Sequence, residues 1–255
     1  MTNTIKYLLK ICAILPLVTG PVAAVPTLQL DIDSPSTFYL TGTETIVTVD
    51  QGFTMRALGK VLDIDGFSDP TFYLSIALTP LQAEQPAPNF GSFTIGGTTI
   101  SQANMIFGVP PMDDALLGLG ADPNGGDLPA HGIFETWFAE IAFTFGGTTI
   151  GSYNSQNDPG LNPLPAGNAL YIEEFLLDTV GLAAGFGLHF DLYNIETKLW
   201  QSQTDIDVNT FAPFSHDAEM IPVPPQPSNT GVPELMTPLL MLSGMMLVRR
   251  ARRND

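Results

Sequence analysis

Three segments of the chain alternate apolar and polar residues with a period of two. In "TFYLSIALT", Phe72, Leu74, Ile76 and Leu78 alternate with Tyr73, Ser75, Ala77 and Thr79. In "EIAFTF", Ile141, Phe143 and Phe145 alternate with Glu140, Ala142 and Thr144. In "FGLHFDLY", Phe186, Leu188, Phe190 and Leu192 alternate with Gly187, His189, Asp191 and Tyr193. A strand sends successive side chains to opposite faces, so each segment predicts a strand with one face in a core and the other toward water. That is the antiparallel, half-exposed pattern. "TLQLDI" (27–32) opens the sheet, and "TETIVTV" (43–49) is a weaker strand. The loops between are long and rich in Gly, Pro, Asn and Asp, the largest being 108–132 and 155–168. Helix is sparse: "HGIFETWF", with Ile133 and Trp137 four apart, reads as one or two turns. The expectation for residues 25–220 is all-β: a single antiparallel β-sandwich, jelly-roll-like, with long loops.

An octapeptide recurs, "FTIGGTTI" at 93–100 and "FTFGGTTI" at 143–150. Gly-Gly suits a two-residue primed turn, where positive φ carries no Cβ penalty. Pairing about Gly96–Gly97 matches Phe93 with Ile100, Thr94 with Thr99 and Ile95 with Thr98. The second copy gives the same split, with Phe143, Phe145, Thr148 and Ile150 inward. The flanking sequences differ, so the reading is hairpin chemistry used twice rather than a repeat array.

The two ends differ in composition from the body. Residues 1–24 hold Lys6 and Lys10, then "ICAILPLV", then small residues at Val22 and Ala24. That is a secretory signal peptide with cleavage after Ala24, and secretion machinery is its partner. Cys12, the one cysteine, lies inside it. The exported body therefore has no disulfide and relies on its core. From 25 to 231 three basic residues, Arg56, Lys60 and Lys198, stand against 24 acidic ones, a formal charge of −21. Such a surface repels nucleic acid and anionic lipid.

"IPVPPQPSNTG" (221–231) is an extended, proline-rich spacer. Residues 232–255 follow. Leu235 to Val248 is apolar and uncharged, and Arg249, Arg250, Arg252 and Arg253 come directly after it. The arginines stay on the cytoplasmic side and the body lies outside. As a hydrophobic helix the run spans about 21 Å against about 30 Å of hydrocarbon. Val232, Pro233 and Glu234, the apolar run and the arginine cluster together resemble the PEP-CTERM sorting signal of bacterial envelopes. Leu235 stands where that motif carries a second proline. The resemblance implies recognition by an exosortase, an integral-membrane cysteine protease or transpeptidase; a plain tail anchor is the alternative. The body resembles the choice-of-anchor N proteins through "LQLDI", "GSFTIGGTTI", "FGVPPM", "GDLPAHGIFETWF", "LAAGFGLHFDLYN" and "DIDVNTFAPFSHDAE". That resemblance implies no particular chemistry.

Few residues suggest a reaction. Ser215, His216 and Asp217 are adjacent, and three consecutive residues do not build a relay triad. His131, His189 and His216 are the only histidines, none in a zinc-type spacing. His189, beside Asp191, is expected on an outward strand face as a surface or loop-contacting residue. "DID" occurs at 31–33, 63–65 and 205–207, and on a strand each pair shares a face. Calcium is the candidate ion, with Asp63, Asp65 and Asp69 in one loop and Asp205, Asp207 and Asn209 in another; neither completes an EF-hand. Trp137, Trp200 and Tyr193 are candidate sugar-stacking aromatics. The reading is an exported, non-enzymatic protein displayed at the cell envelope, with no cofactor beyond calcium, contributing to the extracellular matrix. The alternatives are a carbohydrate-binding module, with extracellular polysaccharide as partner, and a secreted hydrolase, whose paired carboxylates would need to converge in a cleft.

Overall fold

The period-two segments are strands. The computed structural model describes residues 25–112, 127–129, 131–200 and 203–222. Ala24 and the leader lie outside the described residues, as do Val232, Pro233, Glu234 and the four tail arginines. Among the described residues no helix is long and apolar enough to cross a membrane.

Two sheets face each other. The first holds β1 (Leu28–Asp33), β4 (Gly52–Lys60), β11 (Leu170–Asp178), β6 (Ser92–Ile95) and β7 (Thr98–Ser101) in that order, with β10 (Thr149–Ile150) also on β11. The second runs β2 (Phe38–Leu40), β3 (Thr45–Thr48), β14 (Ala218–Met220), β12 (Gly187–Trp200), β5 (Phe72–Thr79), β9 (Thr136–Phe143) and β8 (Ile106–Gly108), with β13 (Gln203–Phe211) on β12. The second sheet is mixed rather than purely antiparallel, because β14 runs parallel to β3. One core joins the sheets, with Leu28, Leu30 and Ile32 from β1 against Leu74, Ile76, Leu188 and Phe190 from β5 and β12. Phe53 meets Phe190 edge-on across the gap at 6.1 Å, and Phe143 meets Phe175 at 5.2 Å. Each such buried side chain contributes about 1.5–3 kcal/mol.

The first Gly-Gly octapeptide is the expected hairpin, with the expected register and positive φ at Gly96 and Gly97. The second is not. Phe143 ends β9 in the second sheet, where it pairs with Phe72, while Thr149 and Ile150 pair with β11 in the first. Here an octapeptide that differs at one position carries the chain between sheets, because Phe143 is already committed to β5. Phe143, Phe145 and Ile150 still face apolar surroundings, but Thr148 is exposed. "HGIFETWF" is also corrected: it forms no helix, and Thr136 begins β9. Trp137 and Ala139 belong to the core on the period of two, and Ile141 packs against it.

The faces turned away from the core are covered in part as well. On the first sheet, Arg56 of β4 lies directly opposite Asp31 of β1 and Glu174 of β11. Its Nη1 reaches Asp31 at 3.4 Å, its Nε reaches Glu174 at 3.2 Å, and its Nη2 donates to Asp33. Asp31 and Asp33 thus share a face, as their spacing predicts. Residues 151–163 close over them. Gly160 N donates to Asp31 at 2.7 Å, Tyr153 Oη at 2.9 Å, and Arg56 Nη1 donates to the Leu161 carbonyl at 3.0 Å. Gln29 clamps the same loop through Tyr153 O and Ser155 N.

Gly91 marks a second tight place. It bridges to Leu182 with φ of +79°, and a Cβ there would lie 2.2 Å from the Gly181 carbonyl oxygen. Gly91→Ala should cost about 1–3 kcal/mol, read as a lower denaturant midpoint with unchanged slope.

Burial raises the Asp31 pKa despite the hydrogen bonds from Gly160 and Tyr153 and the charge of Arg56. A raised carboxyl contributes stability below its ordinary value, and that share is lost as pH rises through the folded value. Arg56→Met removes the counter-charge and should cost about 3–5 kcal/mol at neutral pH. The loss should shrink as pH falls and Asp31 takes up a proton. Paired denaturant melts of the two proteins at pH 7 and pH 4 check this; an equal loss at both would contradict it.

Candidate functional site

On the outer face of the second sheet, β12 supplies His189 and Asp191, two residues apart. Their neighbours on β5 are Ala77 and Ser75. These small side chains leave depth over the sheet, and residues 131–134 enter it. His131 packs there, stacked on Phe214 at 4.3 Å and edge-on to Phe134 at 5.9 Å. Its Nδ1 lies 3.0 Å from the Pro129 carbonyl oxygen. The 3-10 turn Phe214–His216 leads into Asp217, one residue before β14. Phe190 pairs with Ala218, so Asp217 arrives beside Asp191.

Four groups from three distant segments meet. His131 Nε2 is 3.0 Å from His189 Nε2 and 3.2 Å from Asp191 Oδ1. His189 Nε2 is 3.5 Å from Asp191 Oδ1 and 3.5 Å from Asp217 Oδ2. The ligating atoms all lie within 4.8 Å of one another. No side chain of the four is more than 9% exposed. Burial alone would raise Asp191, but the imidazoles of His189 and His131 outweigh it and hold the carboxyl down to about 2. Burial pushes Asp217 up to about 7, against the pull of His189. Burial would lower both imidazoles, yet the Asp191 carboxylate leaves each raised. His189 Nδ1, Asp191 Oδ2 and Asp217 Oδ1 are buried with no hydrogen-bond partner.

His189 does lie on the outward face of its strand and does contact a loop, but that loop seals it in, so it is not a surface residue. The tripeptide at 215–217 splits. Ser215 Oγ donates to His216 Nδ1 at 2.9 Å, and His216 Nε2 donates to Asn154 Oδ1 at 3.2 Å. Burial pushes His216 down to about 4, so it is neutral at pH 7. Asp217 turns instead to the His131–His189 cluster, and the three do not form a relay.

The two calcium loops are distributed differently. Asp63 sits in the one-turn helix α1 (Val61–Ile64), not on a strand, and takes Thr27 Oγ1 at 2.9 Å and Lys60 Nζ at 3.1 Å. Asp65 accepts from Tyr171 Oη at 2.9 Å, and Asp69 accepts the Thr71 N–H at 2.9 Å. Each is engaged by its own neighbour. On β13, Asp207 pairs with Lys198 at 2.6 Å. Asn209 is the extra residue of a bulge opposite Asn194 and donates to its side chain at 3.1 Å. The side chain of Asp205 lies outside the described residues, as does that of Trp200. Among the described residues, only His131, His189, Asp191 and Asp217 form a group of three or more metal-ligating side chains.

Trp137 and Tyr193 are buried, and neither offers a stacking platform. Tyr193 Oη donates to Glu140, and Trp137 Nε1 donates to the Ala83 carbonyl at 3.1 Å. Half-buried aromatics occur elsewhere: Phe67, Phe145 and Tyr171, with Asp65 and Pro70, line a cleft of about 230 Å³. No protein-family model, curated protein or solved structure matches the chain.

Proposed function

We propose that the chain is an exported, non-enzymatic protein displayed at the cell envelope. A signal peptide takes it out, and residues 232–255 sort or anchor it. The carrying observation is the contrast between the body and its ends. The body has three basic residues among 24 acidic ones and no cysteine; the ends have greasy runs flanked by cations. The PEP-CTERM-like order of Val232, Pro233, Glu234, apolar run and arginines supports handling by an exosortase-type protease. The body's motifs support placing it among the choice-of-anchor N proteins, and a role in the extracellular matrix follows from display. The winding is jelly-roll-like, supported by the chain's passage between sheets: β1 in the first, β2 and β3 in the second, β4 in the first, β5 in the second. The last strand is held by Ile221 N to Thr48 O at 2.9 Å, where the spacer begins.

Mass analysis of the protein from its native envelope should find Val25 at the start and the four terminal arginines gone. An intact arginine end would remove the sorting step and leave an anchor. A leader-fused reporter retained in the cytosol would remove export altogether.

The aromatic cleft favours carbohydrate binding as a second reading. Rings of Phe145 and Tyr171, stacked at 6.0 Å, form one wall, and the Tyr171 hydroxyl and Asp65 carboxylate offer polar contacts. An oligosaccharide retained on a glycan array should be lost at least about tenfold on Tyr171→Ala, as removal of a stacking ring predicts. No retention by the unaltered protein would sink this reading.

A further inference from the structure

The cluster of His131, His189, Asp191 and Asp217 converges acceptors rather than donors. The Pro129 carbonyl can only accept, so His131 Nδ1 carries the proton. In the neutral ring its Nε2 is then a lone pair, and it faces Asp191 Oδ1 at 3.2 Å and His189 Nε2 at 3.0 Å. A single proton on His189 Nε2 can point at only one of three acceptors around it. Protonating both rings sets two cationic N–H groups 3.0 Å apart, and Asp191 Oδ2 and Asp217 Oδ1 have no partner. Protons alone serve this arrangement badly.

One cation at the centre serves it well. Zinc holds imidazole nitrogen and carboxylate oxygen at about 2.0–2.2 Å, and the edges of such a tetrahedron are about 3.3–3.6 Å. Four of the six ligand-atom separations, 3.0, 3.2, 3.5 and 3.5 Å, lie near that edge, and all six are within 4.8 Å. Two carboxylates and two neutral imidazoles around a divalent ion sum to zero charge, which a buried site requires. The Pro129 carbonyl orients His131 from behind, as outer-shell acceptors do. Calcium and magnesium prefer all-oxygen sets with more ligands, so two imidazoles favour a transition ion.

We propose that these four side chains bind one divalent transition ion of the zinc class in a closed, structural site. All four positions are filled by the protein and all four groups are buried, so no open position is left for substrate. The ion ties the chain around His131 and the turn before β14 onto β12. It is a cross-link in a body without cysteine, and it does not depend on how the protein is sorted.

The full chain, stripped by chelator and dialysed, should take up one zinc or cobalt(II) ion. Cobalt(II) should give the intense visible absorption of a tetrahedral centre. Saturating zinc should raise the thermal midpoint by about 5–10 °C. His131→Ala and Asp191→Asn should abolish uptake and the shift. Asp191→Asn changes the sheet itself, so His131→Ala, on the covering segment, is the decisive variant if the other fails to fold. Failure to retain an ion, a weak octahedral cobalt spectrum, or a shift that survives His131→Ala would each overturn the site. A midpoint raised equally by calcium in the His131→Ala protein would do the same.

Discussion

Arg56 stands in an inner strand with a carboxylate directly opposite on each neighbour, and its side chain is almost fully buried. A guanidinium taken out of water costs several kcal/mol unless it is paired and hydrogen-bonded. The fold meets that requirement with three carboxylates and a carbonyl. Two of these acceptors come from β1 and one from β11, but the fourth comes from Leu161, in a loop. The ion network therefore determines more than strand pairing. It specifies where residues 151–163 must lie, because Asp31 also needs the Gly160 N–H and the Tyr153 hydroxyl.

The same logic governs the opposite face of the sandwich. There the buried charges are carboxylates, and the groups that answer them are histidines, one on the strand and one carried in by the covering segment. An unpaired buried charge costs more than one well-packed leucine contributes. The covering loops are for that reason part of the fold's stability, and over these buried charges a loop lies on each sheet. Tyr193, Ser75 and Ala77 are buried although they face away from the core.

This explains what the sequence made legible. Alternation located β5, β9 and β12 and their core faces, because period two is a local property. The Gly96–Gly97 register was readable for the same reason. Its near copy was not, since whether Gly146–Gly147 turns back or crosses over depends on the partner of Phe143, which is Phe72, far away in sequence. Period two also cannot say whether the second face meets water or a loop, so His189 looked exposed. Half of the candidate site was visible as His189 and Asp191 on one face. His131 lies 58 positions from His189 and carries no spacing signal that points to it.

The placement of β14 joins these observations. It lies inside the second sheet, parallel to β3 on one side and antiparallel to β12 on the other. Asp217, one residue before it, enters the buried cluster, and Ile221, just past its end, bonds to Thr48. Under the proposed display, the envelope attachment lies C-terminal to this strand. A pull on the tail would then load two hydrogen-bonded ladders together and not peel an edge strand one bond at a time. An ion at Asp217 would anchor the start of that strand to β12 through His189 and Asp191. The polar cluster thus lies at the point where the last described strand enters the sheet, and its buried groups fix that strand's position more specifically than apolar contacts alone would.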